Sequence, residues 1–181
     1  MKPEMRNAEC QVQNLAWSQI VAQRAVELTE FILKRRGRAF EGWPVPLIFQ
    51  YCFWHIAEGT AFVARDHTGI CGVAFAWGMT EREILRREAD GLAPFQWERS
   101  VDGADGLFLA EVIAGEKQKA ESRKQTLQRL HRQMLSRWPD LERRKVFTYR
   151  GAHLEMGAPK LVRLKPAVIA ALVNRKESHG R

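Results

Sequence analysis

The sequence has few cysteines and no long uncharged apolar run. Its three cysteines, Cys10, Cys52 and Cys71, lie far apart and form neither a CxxC pair nor the spacing of a metal site. Sparse cysteines are typical of reduced thiols, so we expect a cytoplasmic protein with no disulfide and no metal centre. No stretch of eighteen uncharged apolar residues exists, and no apolar segment follows the first residues, so neither a membrane span nor a secretory signal is expected.

The remaining composition indicates a folded domain. The chain has 181 residues, of which 45 % are hydrophobic, enough for one domain with a full core. The sequence contains no internal repeat and no low-complexity block. We expect a flexible leader at residues 1–12, a single domain over 13–174 and a flexible basic tail at 175–181.

Basic charge is concentrated in one part of the chain, whose formal net charge is +8. Between Lys117 and Arg150 there are eleven lysines and arginines and only three acidic residues, so this stretch holds an excess equal to that of the whole chain. Such a patch suits phosphate, whether on nucleic acid, on a nucleotide cofactor or on an acidic carrier protein.

The periodicity of apolar residues predicts the order of helices and strands. Helices are expected at 14–36, with Asn14 as N-cap, and at 47–57, 80–90, 116–138 and 166–174. Strands are expected at 60–65, 70–77, 94–101, 107–114, 145–149 and 161–164, the first two forming a hairpin. This order predicts an α/β (α+β) fold in which helices pack on a mixed sheet.

The junction between the strand ending at Ala114 and the following helix is a candidate phosphate site. A strand that runs directly into a helix exposes the first backbone N–H groups of that helix, which bind anions. Val112, Lys117, Ala120 and Ser122 have the spacing of the pyrophosphate loop of the N-acetyltransferase superfamily (GNAT fold), which this unit resembles. That resemblance implies a mixed, mostly antiparallel sheet flanked by helices.

Three further segments resemble the hemolysin-activating (RTX toxin) lysine acyltransferases. They are Trp43-Pro44-Val45, Gly72-Val73-Ala74-Phe75-Ala76-Trp77, and Glu111-Val112-Ile113-Ala114-Gly115 at the end of the central strand. The resemblance spans roughly residues 38–118. It implies an enzyme that takes a fatty acyl group from acyl carrier protein and places it on lysines of a protein.

The resemblance also implies where an acyl donor is held. The backbone of Ile113, Ala114 and Gly115, after Val112, would hold the pantetheine arm. The basic side chains of Lys117, Lys119 and Arg123, with the small residues Ala120 and Ser122, would meet its phosphate. The alternative is an ordinary strand–helix unit whose charged face is solvated.

Two residues are candidates for the chemistry itself. Glu111 occupies the place of the family's acid and could act as a base for amine acylation, since burial on an apolar strand raises a carboxyl pKa. The alternative is a carboxylate paired with an arginine. If the strand alternates regularly, Glu111 shares a face with Leu109. The family's histidine is replaced by Phe40, and His55 either substitutes for it in the cleft or is a buried, satisfied histidine.

Two functions follow from these residues. The first is an acyltransferase that uses acyl carrier protein or acyl-CoA as donor and a protein lysine or other amine as acceptor, without a metal. The second is a catalytically inactive GNAT-like protein that binds nucleic acid or an acidic protein partner through its basic helix. Homodimer formation, acyl chain length and acceptor stay open at this point.

Overall fold

Four helices and five strands make up the described part of the chain. The computed structural model describes residues 3–35, 40–90, 100–114, 120–150 and 160–164. In chain order the elements are α1 Pro3–Arg35, α2 Val45–Ala57, β1 Ala61–Asp66, β2 Gly69–Met79, α3 Glu81–Ala89, β3 Gly106–Ala114, α4 Ala120–Arg137, β4 Lys145–Arg150 and β5 Lys160–Leu164.

The strands form one sheet in the order β1-β2-β3-β4-β5. Every neighbouring pair is antiparallel except β3 and β4, which are parallel and joined through α4. A parallel pair needs a long crossover, which α4 provides. The predicted mixed, mostly antiparallel sheet flanked by helices is therefore confirmed.

Strand β2 lies between β1 and β3 and separates two apolar layers. Its side chains alternate between the faces. Phe75 and Trp77 lie in the core beneath α1 and α2, whereas Ala74 and Ala76 lie in the core beneath α4. Every residue from Cys71 to Met79 is buried, which explains the nearly continuous apolar run at this position.

Helix α1 begins earlier than the sequence predicted. The N-cap expected at Asn14 is wrong, because the helix already begins at Pro3, within the segment expected as a leader. Residues 4–13 contain mostly good helix formers but lack apolar periodicity, so the pattern located only the part of the helix that packs. Within that part, Val21, Ala25, Leu28 and Ile32 are buried.

Several predicted elements lie outside the described residues. These are most of the strand expected at 94–101, the start of the helix expected at 116, the helix at 166–174 and the tail. Ser100 and Val101 are described and belong to no strand. They bind the end of β2 instead, since the Gly78 amide donates to Ser100 Oγ at 2.9 Å and the Val101 amide donates to the Gly78 carbonyl.

Gly72 allows α4 to lie directly against β2. A Cβ atom at this position would overlap Thr126 Cγ2. The Thr126 hydroxyl donates to the Ser122 carbonyl at 2.9 Å, which restricts that side chain from moving away. We expect Gly72→Ala to lower the free energy of unfolding by about 1–3 kcal/mol, as overpacked cores do, measured by urea denaturation.

The double variant tests the cause of that loss. Thr126→Ser removes the methyl group that a new Cβ would meet and keeps the hydroxyl. Gly72→Ala should therefore cost clearly less in the Thr126→Ser background than in the native chain. An equal cost in both backgrounds would show that the contact with Thr126 is not responsible.

Candidate active site

Glu111 lies in the middle of the sheet, on the face covered by α1 and α2. It pairs with Phe75 of β2, and residues directly opposite in an antiparallel ladder share a face. The next pair joins Leu109 with Ala76, so Ala110 is an extra residue, a β-bulge. The expectation that Glu111 and Leu109 share a face is therefore wrong, because the bulge interrupts the alternation and turns Leu109 toward α4.

The environment of Glu111 favours the protonated carboxyl. Burial raises its pKa from 4.5 to about 7, and the backbone N–H of Val112 opposes that shift only in part. Among the described lysines and arginines, none forms an ion pair with Glu111. The described structure thus contains no arginine partner of the kind that the alternative interpretation required.

Tyr51 of α2 lies on the same side of the sheet as Glu111, close enough for the two groups to interact electrostatically. Its ring centroid lies 4.9 Å from that of Phe75, the residue paired with Glu111. Burial raises the Tyr51 pKa, and the charges of Cys52 and Glu111 raise it further, so the phenol stays protonated. Its i, i+4 spacing from His55 was the available signal, because that spacing places two residues on one helix face.

His55 is completely buried on the same side of the sheet. Its Nδ1 is 2.7 Å from Thr60 Oγ1, and its ring stacks on Trp77 with centroids 5.2 Å apart. Its ring also lies 4.2 Å from Tyr51. Burial lowers the His55 pKa to about 4, so the imidazole is neutral at pH 7. No described residue forms a hydrogen bond with Nε2.

Phe40 completes this aromatic cluster from the segment before α2. Its ring centroid lies 5.6 Å from Tyr51 and 6.2 Å from Phe75. Position 40 is therefore adjacent to the pair that includes Glu111. A phenylalanine there contributes packing, but it can neither accept a proton nor carry an acyl group.

The sheet opens beside Glu111. The described ladder between β3 and β4 covers only Gly106–Phe108 and Lys145–Phe147. Beyond it, residues 148–150 pair with β5 alone, and residues 109–114 of β3 have no described partner on that side. Unpaired backbone groups on a strand edge bind extended ligands or chains. In the described residues, the edge of β3 next to Glu111 is therefore left without a paired strand.

The predicted donor-binding residues divide into three groups. Val112, Ala114 and Arg123 line one cavity on the α4 face. Ile113 pairs with Val73 and buries its side chain on the opposite face, with Glu111. Among the others, Gly115, Lys117 and Lys119 lie outside the described residues, and Ala120 is described only as the start of α4. Ser122 is exposed, and its carbonyl accepts from the Thr126 hydroxyl.

Part of the basic stretch serves the fold. Arg129 of α4 donates to the Arg65 carbonyl at the end of β1. Arg137 donates to the exposed carboxylate of Asp102 at 3.2 Å. Arg123 and Arg132 are exposed on the same helix. Some basic side chains that the sequence suggested for binding a partner therefore make contacts within the protein. Others lie on the solvent-exposed face of α4.

The comparisons with known proteins add no relative. Neither a protein-family model nor a curated protein matches this sequence. The described residues contain no group of three histidine, cysteine or acidic side chains arranged to hold a metal ion. Among the described helices, none has both the length and the hydropathy needed to cross a membrane.

Proposed function

We propose that this protein is a GNAT-like acyltransferase that moves an acyl group from acyl carrier protein or acyl-CoA to a protein lysine or another amine. The observation that carries this proposal is Glu111. It is a partly buried carboxyl with a pKa of about 7, located where β3 leaves its parallel neighbour. A base with that pKa is half deprotonated near neutral pH, where a general base works best.

The residues of the cluster fit the chemistry of amine acylation. Glu111 would take the proton from the attacking amine, whose lone pair forms a C–N bond with the thioester carbonyl carbon. The C–S bond then breaks, and the proton on Glu111 passes to the departing thiolate. His55 and Tyr51 stay neutral at this pH, so they add uncharged polar groups beside the base rather than a competing charge.

The donor would enter through the opening between β3 and β4. Its pantetheine arm carries amides, which match the unpaired backbone groups of β3 beyond Leu109. Acyl carrier proteins are acidic, so the basic solvent face of α4 supports docking of such a donor. Cys52 and Cys71 are buried free thiols, in keeping with a cytoplasmic enzyme.

A thermal-shift panel tests the donor class. At a concentration a hundred times its Kd, a bound donor stabilises the chain by about 2.7 kcal/mol, which for this size raises the Tm by roughly 5–10 °C. We expect that shift with acyl-CoA or acylated carrier protein. Unacylated carrier protein is the control for charge alone. Absence of a shift with every acylated donor would contradict the proposal.

One observation favours the second function, a binding protein without catalysis. Phe40 replaces the family's histidine inside the cluster, while Arg123 and Arg132 remain exposed on α4. A nucleic acid bound by several such residues loses affinity steeply between 50 and 200 mM salt, by about 10³-fold or more for six phosphate contacts. Salt-sensitive binding of DNA or RNA, without any response to acyl donors, would select this alternative.

A further inference from the structure

An apolar cavity of about 210 Å³ lies between α4 and the sheet, on the face opposite Glu111. Strands β2 to β5 and helix α4 all contribute to its wall. Most of the lining is aliphatic, and it includes Leu127, Leu130 and Met134 of α4 and Leu109, Val112 and Val146 of the sheet. The cavity is smaller than the pockets of about 300–1,000 Å³ that hold drug-sized ligands, so it suits a narrow chain rather than a ring system.

Two features of the sheet create this space. The side chains of Ala74 and Ala114 are small, so they leave space between the sheet and α4. The parallel ladder between β3 and β4 ends at Phe108 and Phe147, so the two strands are no longer held together beyond that point. Helix α4 therefore spans a gap that the sheet does not fill.

Polar groups are few and unevenly placed along the cavity. Arg123, in the first turn of α4, is exposed and brings a positive charge to one end. His131 lies eight residues later, about 12 Å along the helix axis, and is only 9 % exposed. Burial lowers the pKa of His131, which favours the neutral ring. The described residues that line the cavity include no carboxylate.

We propose that this cavity binds the hydrocarbon chain of a fatty acid or fatty acyl group, with the anionic head at Arg123. Apolar walls from β3 and α4 take the chain, and the guanidinium takes the carboxylate or phosphate. The binding does not depend on the proposed transfer reaction, because Glu111 lies on the other face of the sheet.

Isothermal titration calorimetry of the full chain with decanoate, below its micelle concentration, tests this site. We expect saturable binding of one decanoate per chain. Butyrate should bind far more weakly, because its chain is short. Decyltrimethylammonium, which carries the same chain with a positive head, should also bind far more weakly. Failure of decanoate to bind saturably, or equal binding of the cationic analogue, would overturn the proposal.

Substitutions in the cavity wall test whether decanoate binds there. Leu127→Trp fills the cavity from α4 and should abolish decanoate binding, whereas Leu85→Trp, at an exposed position on α3, should leave it unchanged. If circular dichroism shows that Leu127→Trp is unfolded, Val112→Trp blocks the cavity from the half-exposed wall of β3 instead. Decanoate binding that survives in a folded blocking variant would place the ligand elsewhere.

A matched pair of variants tests the positive charge of Arg123 at the end of the cavity. Arg123→Gln should weaken decanoate binding about tenfold, as expected for loss of one charge-assisted contact. Arg132→Gln, on the same helix but outside the cavity, should not change it. Equal affinities for the two variants would contradict the role of Arg123.

A competition experiment shows whether the bound hydrocarbon chain belongs to a free fatty acid or to a thioester. Displacement of decanoate by decanoyl-CoA, but not by CoA, would show that the cavity takes the chain of a thioester donor. Decanoate binding that decanoyl-CoA does not disturb would show that the cavity takes the free acid. Either result supports a chain-binding cavity. Glu111→Gln should bind decanoate normally even if it has lost transfer, which separates this inference from the proposed function.

Discussion

Glu111→Gln is expected to lower acyl transfer by about 10²–10⁴-fold, the usual contribution of a general base. Glutamine keeps the size of the side chain and removes its ability to take a proton. The measurement is release of thiol from an acyl-CoA or acylated carrier protein in the presence of an amine acceptor. Glu88→Gln, at an exposed position on α3, is the matched control and should transfer normally. Unchanged turnover in Glu111→Gln would exclude the base role.

The pH profile gives an independent test of the same residue. Since the Glu111 pKa is about 7, kcat/KM should rise with pH up to about 7 and then level off as the carboxyl loses its proton. The residual activity of Glu111→Gln should lack that step. A profile that steps instead near pH 4.5, the ordinary carboxyl value, would show that burial does not set the pKa of the acting base.

Loss of transfer in Glu111→Gln should not result from unfolding. The folded-state pKa of about 7 lies above the unfolded value of 4.5. The folded chain therefore holds this proton more tightly, and stability declines as pH rises from about 4.5 through about 7. Glutamine removes that ionisation, so the variant should be at least as stable as the native chain at pH 8. Urea denaturation at pH 5 and pH 8 measures the difference.

Trp77→Ala is expected to lower the free energy of unfolding by about 3–5 kcal/mol, the range for a buried aromatic truncated to alanine. Trp77 is 1 % exposed. It stacks on His55 and packs against Phe108 at 5.1 Å between ring centroids. Truncation would leave a cavity between β2 and α2 and remove the stacking partner that holds the imidazole.

The control for Trp77 is another tryptophan of the same chain. Trp17 is 53 % exposed on α1, so Trp17→Ala should change stability by no more than about 0.5 kcal/mol. Trp77→Phe keeps an aromatic ring in the core and should cost less than Trp77→Ala. Urea denaturation of the three variants gives the order. Similar losses for Trp17→Ala and Trp77→Ala would show that burial of Trp77 does not support the core.

The amphipathic pattern of α4 was predictable from the sequence. The sequence pattern places Leu127, Leu130, Met134 and Trp138 on one side of the helix. The last three are buried against the sheet, and Leu127 is partly buried and lines the cavity. Burial at this spacing is a local property, because residues three or four apart share a helix face. The alternating positions of β2 are equally local. The order and type of the described helices and strands could therefore be predicted from local sequence patterns.

The arrangement of the candidate site could be predicted only in part from the sequence. The sequence marked Glu111 and His55 but placed Glu111 on the face of Leu109, because one extra residue at Ala110 has no signature in an apolar run. It missed Tyr51 as a neighbour of Glu111, since their proximity arises from packing of α2 on the sheet rather than from spacing along the chain.

By itself the sequence determined the mixed sheet with its flanking helices, the concentration of basic charge after β3, and the presence of a carboxyl at the end of an apolar strand. Tertiary structure alone decided that this carboxyl lies beside Tyr51 with a raised pKa, that β3 and β4 separate next to it, and that a cavity remains beneath α4. The reason is physical. The periodicity of apolar residues shows which side of each helix or strand is buried. Values of pKa and cavities depend instead on which elements pack together and how closely.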